Sequence, residues 1–587
     1  MMRRFMPYLL VLLFFIALHG ALVATGISPY LKGQLGDSDS YMRLLRVEAL
    51  ASDLHSWFDS SVPRMNAPLG DNLNWTRPLD VLILAGALPL VAYADFTWHD
   101  AIYQAGSWLP PLLQILMAFA LAWAAAPLLQ PAQRPLVMLL SALLPVMIAY
   151  NMAGRPDLQT LLLIATIMML GWTTRGLMGQ ELALRAGLYA GLWAGFGLWV
   201  TVEAQFAYLA LCGMIGLVWL ERGKDELLDL LEGLALGFFI MVSIGMLAER
   251  GAAWQSIREL DKISLTHALF AVVNVAFCGF LATSARHAHA MGRILLTALW
   301  SGLALAGLIF FAPEMLQGPA GQIDPRVMQG FFLQIREMRP LWPLTLEDAS
   351  LMLLWLGVPL VALPLWVAAR PKPLLPWLPF AGVTAIFTLA ALMHARFAQT
   401  AAPLACVLLV FAMAALTENL KGGKRLALRA LILLTPLLTG IIALALMPED
   451  GRAPPKCNVA DIAPRLRELP EGIIMAPINY GPEILYMTGH SVIAGPYHRN
   501  TQGILDALEF FGSSSNARAQ DIIKRRTARY VLSCPTMPDR PPQKRQNVLA
   551  GELANQQANQ QAGDEIPGWL APISLPEGQD LRLYRVK

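Results

Sequence analysis

The sequence predicts a polytopic α-helical membrane protein of about 13 transmembrane helices, completed by a C-terminal mixed α/β domain outside the bilayer. Three observations carry this. Of 587 residues, 56% are hydrophobic and only 14% charged, and the mean hydropathy is +0.50, outside the balance of a soluble globular chain. Apolar stretches long enough to cross a bilayer recur from Leu9 to Met447, followed by a more polar tail. Basic residues gather in alternate loops between those stretches.

Met1 to Ile27 has a basic start, Arg3 and Arg4, and an apolar core longer than that of a secretory leader, so a retained first helix is expected. Further apolar segments run over 79–94, 108–128, 134–150, 157–173, 182–200, 205–220, 229–247, 265–284, 292–312, 346–367, 376–393, 402–417 and 427–447. The segment at 79–94 is short and carries Asp80 and Pro89, which suits a helix near the surface or buried against protein. Without it, thirteen spans remain, counting the first.

With a cytoplasmic N-terminus, the loops after even-numbered helices carry Arg134, Arg175, Arg222 with Lys224, Arg286 with Arg293, Arg370 with Lys372, and Lys421, Lys424 and Arg425. That side is the basic one, although the opposite side keeps Arg155, Arg250, Arg258, Lys262 and Arg396. This topology divides the chain into a membrane domain, 1–447, and a tail domain, 448–587. It places loops 28–107, 151–157 and 313–345 and the whole tail on the periplasmic face of a bacterial inner membrane.

In the tail, GIIMAP, ARYVLSC and LRLYRVK read as strands, and TQGILDALEFFGS and ARAQDIIKRR as helices. GRAPPK and PTMPDRPPQKRQ are proline-rich connectors, and ANQQANQQAGDE is a polar insert. Cys212, Cys278 and Cys406 lie in apolar runs, as small core residues do. Cys457 and Cys534 lie in the tail, and an extracytoplasmic location would allow them to pair. A formal charge of +3 says little by itself. No phosphate-cradling P-loop or dinucleotide fingerprint is present, and no nucleic-acid partner is expected.

Four constellations carry chemistry. In the first loop, GQLGDSDSYMRLLRV holds Asp37 and Asp39 two residues apart, with Arg43 and Arg46 close behind. Such oxygens suit Mg²⁺ or Mn²⁺, and the arginines suit phosphate or simply neutralise the acids. Further along the loop, Trp75 and Arg77 offer a sugar-stacking face and a phosphate contact, although an interfacial aromatic explains Trp75 equally well. A second turn, NMAGRPDLQT, holds Asp157, with Gln159 as a weak neutral ligand; Glu203 is either a site residue or an end charge. In loop 313–345, Glu337 stands between Arg336 and Arg339 in an apolar stretch suited to packing over a site. The tail segment NYGPEILYMTGHSVIAGPYHRN supplies Tyr480, His490, Tyr497, His498 and Arg499 as a polar recognition surface without zinc-ligand spacing.

Together these pieces resemble the GT-C membrane glycosyltransferases, and among them the bacterial single-chain form of the oligosaccharyltransferase catalytic subunit. The resemblance implies thirteen helices, an acidic pair in the first outer loop, a Gly-x-x-Asp motif in the second, a long loop ending in a glutamate motif, and a periplasmic tail domain. By motif, Asp39 or Asp37 takes the place of the first-loop acid that ligands the divalent cation and activates the acceptor. Asp157 takes that of the second metal ligand, and Glu337 that of the loop glutamate. Two departures stand out. Leu158 and Gln159 replace a further acid after Asp157, and Ile478-Asn479-Tyr480-Gly481 stands where the family carries Trp-Trp-Asp-Tyr-Gly.

The implied activity is transfer of a sugar or oligosaccharide from a polyprenyl-phosphate or polyprenyl-pyrophosphate donor to an acceptor, whether protein, glycan or lipid. Either first-loop aspartate serves as base and the other as ligand, and a cation-independent version stays open. The competing classes are a transporter or flippase of lipid-linked saccharides and a non-catalytic assembly protein. The nearly charge-free spans oppose a transport path.

Overall fold

A computed structural model describes residues 2–318, 321–447, 457–513, 515–534 and 566–587. Ten helices among them are long and apolar enough to cross a membrane. Two further apolar helix pairs are bent, each a broken span or a re-entrant loop: Arg134–Ala142 meets Pro145–Asn151 at 67°, and Gly422–Leu433 meets Thr435–Leu446 at 55°. Pro145 and Pro436 each lie in the first turn after the break, where a missing amide hydrogen costs nothing. The thirteenth sequence candidate is the Ala183–Val200 helix, whose apolarity is diluted by Arg185 and its glycines.

Those glycines explain its position. A Cβ on Gly187 or Gly191 would overlap the backbone carbonyls of Leu230 or Leu234, and one on Gly233 or Gly237 would overlap those of Leu184 or Leu188. The helices Ala183–Val200 and Asp225–Arg250 therefore cross backbone to backbone, each supplying small residues at four-residue spacing.

The second membrane helix begins at Trp98, capped by Thr97, and not at 108 as the hydropathy suggests, because its first turns, with His99, Asp100 and Gln104, are polar; Pro110 and Pro111 lie inside it. This shortens the first outer loop from 28–107 to residues before Trp98. The 79–94 segment is helical, Pro78–Ala94, and packs against the Trp98–Ala124 helix.

The tail builds one five-stranded sheet, in the order Ser491–Val492, Ile473–Met475, Ala528–Ser533, Arg582–Val586, Leu570–Ile573. The pairs on either side of Ile473–Met475 are parallel and the last two antiparallel. Helices Thr501–Gly512 and Asn516–Arg525 form as the periodicity predicts. Strand alternation sorts side chains to two faces. Ile474, Tyr530 and Leu532 share a core with Met42, Met65 and Leu73 of the first loop. Met475 and Val531 share the other with Val327 and Phe331 of the 313–345 region. Loops of the membrane domain thus complete both tail cores, and Arg64 adds hydrogen bonds to the carbonyls of Leu485, Thr488 and His490. Cys457 and Cys534 are joined as a disulfide. GRAPPK, PTMPDRPPQKRQ, ANQQANQQAGDE and the expected 447/448 boundary lie outside the described residues.

Candidate active site

A cavity of about 810 Å³ lies where the first loop, the turn at 155–159, the 313–345 region and the tail meet, and Asp37, Asp39, Asp157 and Glu337 all line it. Asp37 caps the Ser38–Ser52 helix: one carboxylate oxygen accepts from the Ser40 amide at 2.9 Å and its hydroxyl at 2.6 Å. The other faces Arg155 Nε at 2.7 Å. Both oxygens of Asp37 are therefore occupied, whereas Asp39, in the first helical turn, opens to the cavity.

Arg155 organises the acids. Its Nη2 reaches Glu337 at 3.3 Å, its Nη1 donates to the Ala149 carbonyl at 2.8 Å, and its guanidinium lies 4.4 Å over the Tyr150 ring. Burial and the charges of Asp37, Asp157 and Glu337 push Asp39 up to about 8, against the pull of Arg43. Burial pushes Asp157 up to about 6, opposed by Arg155 and reinforced by Glu337 and Asp37. Asp157 also accepts the Gln159 amide at 2.9 Å, which fixes the turn.

Trp75, Tyr497, His498, Arg43 and Arg339 line the same cavity. Arg43 lies 4.2 Å over Trp75, and Tyr497 meets the Trp75 ring edge-on at 5.3 Å. His498 Nε2 stands 2.6 Å from Asp261, a cavity residue absent from the sequence reading. Lys262, Arg396 and Asn479 line the cavity as well, and Arg396 pairs with Glu203 at 3.0 Å.

Four predicted recognition residues lie elsewhere. Arg77 is buried against Asp80 at 3.1 Å and donates to the carbonyls of Trp57, Ser56 and Asp59. His490 is buried within the tail, its Nε2 2.8 Å from the Leu466 carbonyl. Tyr480 packs against the tail core, and its neighbour Asn479 takes the cavity position. Arg499 pairs with Asp261 at 2.7 Å and Glu259 at 2.8 Å, tying the tail to the 251–264 segment behind the cavity wall.

Asp39 and Asp157 offer the hard oxygen donors that Mg²⁺ or Mn²⁺ prefers. Burial raises both, and the repulsion from neighbouring acids that adds to it is what a cation would relieve. Among the described residues, no group of three or more His, Cys, Asp and Glu side chains is placed to hold a metal ion. Arg155 accounts for that shortfall by holding Asp37 and Glu337 itself.

The fold matches solved structures of the archaeal oligosaccharyltransferase AglB from Archaeoglobus fulgidus. The complex with an inhibitory peptide and a dolichol-phosphate aligns with a TM-score of 0.64 at 14% identity, covering 85% of this chain and 66% of that one. The form tethered to an acceptor peptide containing the NVT sequon gives 0.62 at 14% identity, covering 85% and 65%. The complex with Zn and sulfate gives 0.57 at 13% identity, covering 85% and 64%. The chain thus matches somewhat under two thirds of the length of these structures. No family model matches the chain, and no curated protein does. The chain therefore shares its fold with these archaeal oligosaccharyltransferase structures.

Proposed function

We propose that this protein is a GT-C glycosyltransferase that moves a sugar or oligosaccharide from a polyprenyl-phosphate or polyprenyl-pyrophosphate donor to an acceptor at the periplasmic face of a bacterial inner membrane. The observation that carries the reading is the convergence of Asp39, Asp157 and Glu337, with Arg155 among them, on one cavity between the helix bundle and the tail. The dolichol-phosphate and acceptor peptide held by AglB support a lipid-linked donor and a nucleophilic acceptor. The tail lacks paired tryptophans before Asn479-Tyr480-Gly481, so the acceptor class stays protein, glycan or lipid.

Asp39 accepts the proton of the acceptor nucleophile as the new bond forms at the anomeric carbon and the glycosyl–oxygen bond to phosphate breaks, the electron pair leaving on the phosphate oxygen. Desolvation within the cavity and its acidic neighbours make Asp39 a stronger base than an isolated aspartate in water. Arg155 fixes Asp37 and Glu337, and Arg339 and Arg396 on the cavity wall are cations available to the leaving phosphate. A divalent cation held by Asp157 together with Asp39 would supply further stabilisation of charge on the leaving group.

The test is donor turnover by the purified protein in nanodiscs, given a labelled polyprenyl-pyrophosphate saccharide and a membrane extract as acceptor source. Asp39→Asn and Asp157→Asn variants that melt as the wild type does should lose about 100-fold in turnover. Undiminished turnover in both sinks the assignment.

A further inference from the structure

Beside the cavity lies a knot of four cations, Arg43, Arg46, Arg77 and Lys262, all at least nine-tenths buried and paired with only two carboxylates. Asp80 takes Arg43 at 2.8 Å, Arg46 at 2.9 Å and Arg77 at 3.1 Å. Glu249 takes Lys262 at 3.3 Å and also accepts the Arg77 amide at 2.6 Å and the Trp199 indole at 2.9 Å. The surrounding charges do not cancel the excess. Glu259 and Asp261 are matched by Arg250 and Arg499, and Asp39, one turn before Arg43, is a single further acid on which the Arg43 charge acts.

Two of these cations reach the cavity. Arg43 and Lys262 both line it, and Asn74, which donates to the Asp261 carbonyl at 3.3 Å, brings the Asn74–Thr76 wall against the Asp261–Ile263 wall. Arg43 Nε and, behind it, Arg46 Nη2 are buried with no hydrogen-bond partner. Lys262 has one carboxylate partner for three donors. Burying such charge with few acceptors is costly, and Lys262, on the cavity wall with donors to spare, is placed to take an anion there. Burial and the neighbouring Arg46 and Arg250 draw Lys262 down to about 8 despite Glu249, as an amine lacking enough negative charge requires.

The geometry points to an anion subsite at Arg43 and Lys262, on the wall of the same cavity, for a carboxylate or phosphate group of the bound substrate. The inference rests on the glycosyltransferase reading and narrows its substrate class. Trp75, on the same wall, suits the anion being borne on a sugar ring. The donor's own phosphate is the other source of the same chemistry.

The experiment measures binding to the full-length protein in nanodiscs by tryptophan fluorescence. The probes are methyl glucuronoside, methyl glucoside and undecaprenyl phosphate, on wild type, Lys262→Met and Lys262→Arg. The wild type should bind the glucuronoside at least tenfold more tightly than the glucoside. Lys262→Met should abolish that preference and Lys262→Arg keep it, with undecaprenyl phosphate binding unchanged. A tenfold loss of undecaprenyl phosphate binding in Lys262→Met instead supports the subsite and assigns it to the donor phosphate. The wild-type preference needs no variant, so it stands if Lys262→Met does not fold. Equal binding of both glycosides together with unaltered undecaprenyl phosphate binding in the variant overturns the subsite, leaving the cations as counterweights to the cavity's own acids. Failure of undecaprenyl phosphate to bind the wild type, with the glucuronoside preference intact, counts against the polyprenyl donor and not against the subsite.

Discussion

Arg155 and Glu337 meet at 3.3 Å although 182 residues separate them. The same guanidinium holds Asp37 at 2.7 Å, so one residue of a short turn joins the first loop to the 313–345 region. Its charge and its fork geometry are both used, and a lysine could reproduce only the first. Arg155→Ala should lower donor turnover by about 100-fold, and Arg155→Lys should recover only a small part of it. Glu337 then loses its tether, and limited proteolysis should cut within 321–345 faster in Arg155→Ala than in the wild type. Equal cleavage rates would show that Arg155 does not hold that segment.

The crossing of the Ala183–Val200 and Asp225–Arg250 helices makes a different demand. Adding one methyl at Gly191 would drive it into the Leu234 carbonyl, and no flexible side chain is there to yield. Gly191→Ala should therefore destabilise the bundle by roughly 2 kcal/mol, the order found for overpacked cores. Gly213 has nothing within 4 Å of an added Cβ, so Gly213→Ala is the matched control and should melt as the wild type does. Thermal unfolding in one detergent compares the two.

Glu483 gives the tail a pH dependence. Burial pushes its carboxyl from 4.5 to about 7, against the Tyr41 hydroxyl and the Ala460 amide, which favour the charged form. Its folded pKa is raised, so its contribution is fully present below about 4.5 and is lost as pH rises through about 7. Glu483→Gln removes that loss. The melting temperature of the variant relative to wild type should rise between pH 5 and pH 8 by several degrees. A difference that stays constant across that window would mean Glu483 is ionised throughout.

The acids of the site were legible in the sequence because each sits at a break between apolar runs, where the chain must leave the membrane. Asp39, Asp157 and Glu337 needed only the correct pairing of loops to be placed together. The cavity's basic side was not legible. Lys262 and Asp261 look like an ordinary charged connector, and a hydrogen bond from the Asn74 side chain to the Asp261 carbonyl holds them near Trp75. The polar run from Tyr480 to Asn500 misled in the opposite direction. It mixes cavity residues, Tyr497 and His498, with His490, whose ring satisfies carbonyls inside the tail, and local composition does not separate the two. The bends after Ala142 and Leu433 interrupt runs that stay apolar throughout, so hydropathy crosses them without a signal, and only Pro145 and Pro436 mark them.

The disulfide tests which side of the membrane the tail occupies. Cys457 and Cys534 close a loop 77 residues apart in sequence, and cross-linking of that length stabilises a fold by on the order of 4 kcal/mol. A bond of this kind persists only in an oxidising compartment. The remaining cysteines, Cys212, Cys278 and Cys406, lie in membrane helices as free thiols. Protein extracted from membranes with thiols rapidly trapped, then denatured and treated with a maleimide–polyethylene glycol, should shift by three labels without reduction and by five after it. Cys457→Ser should still shift by four without reduction, and its tail should be cut by protease at lower temperature than the wild type. Five labels on the unreduced wild-type protein would place the tail on the reducing side and reverse the proposed orientation, because the same thiols would then face the cytoplasm.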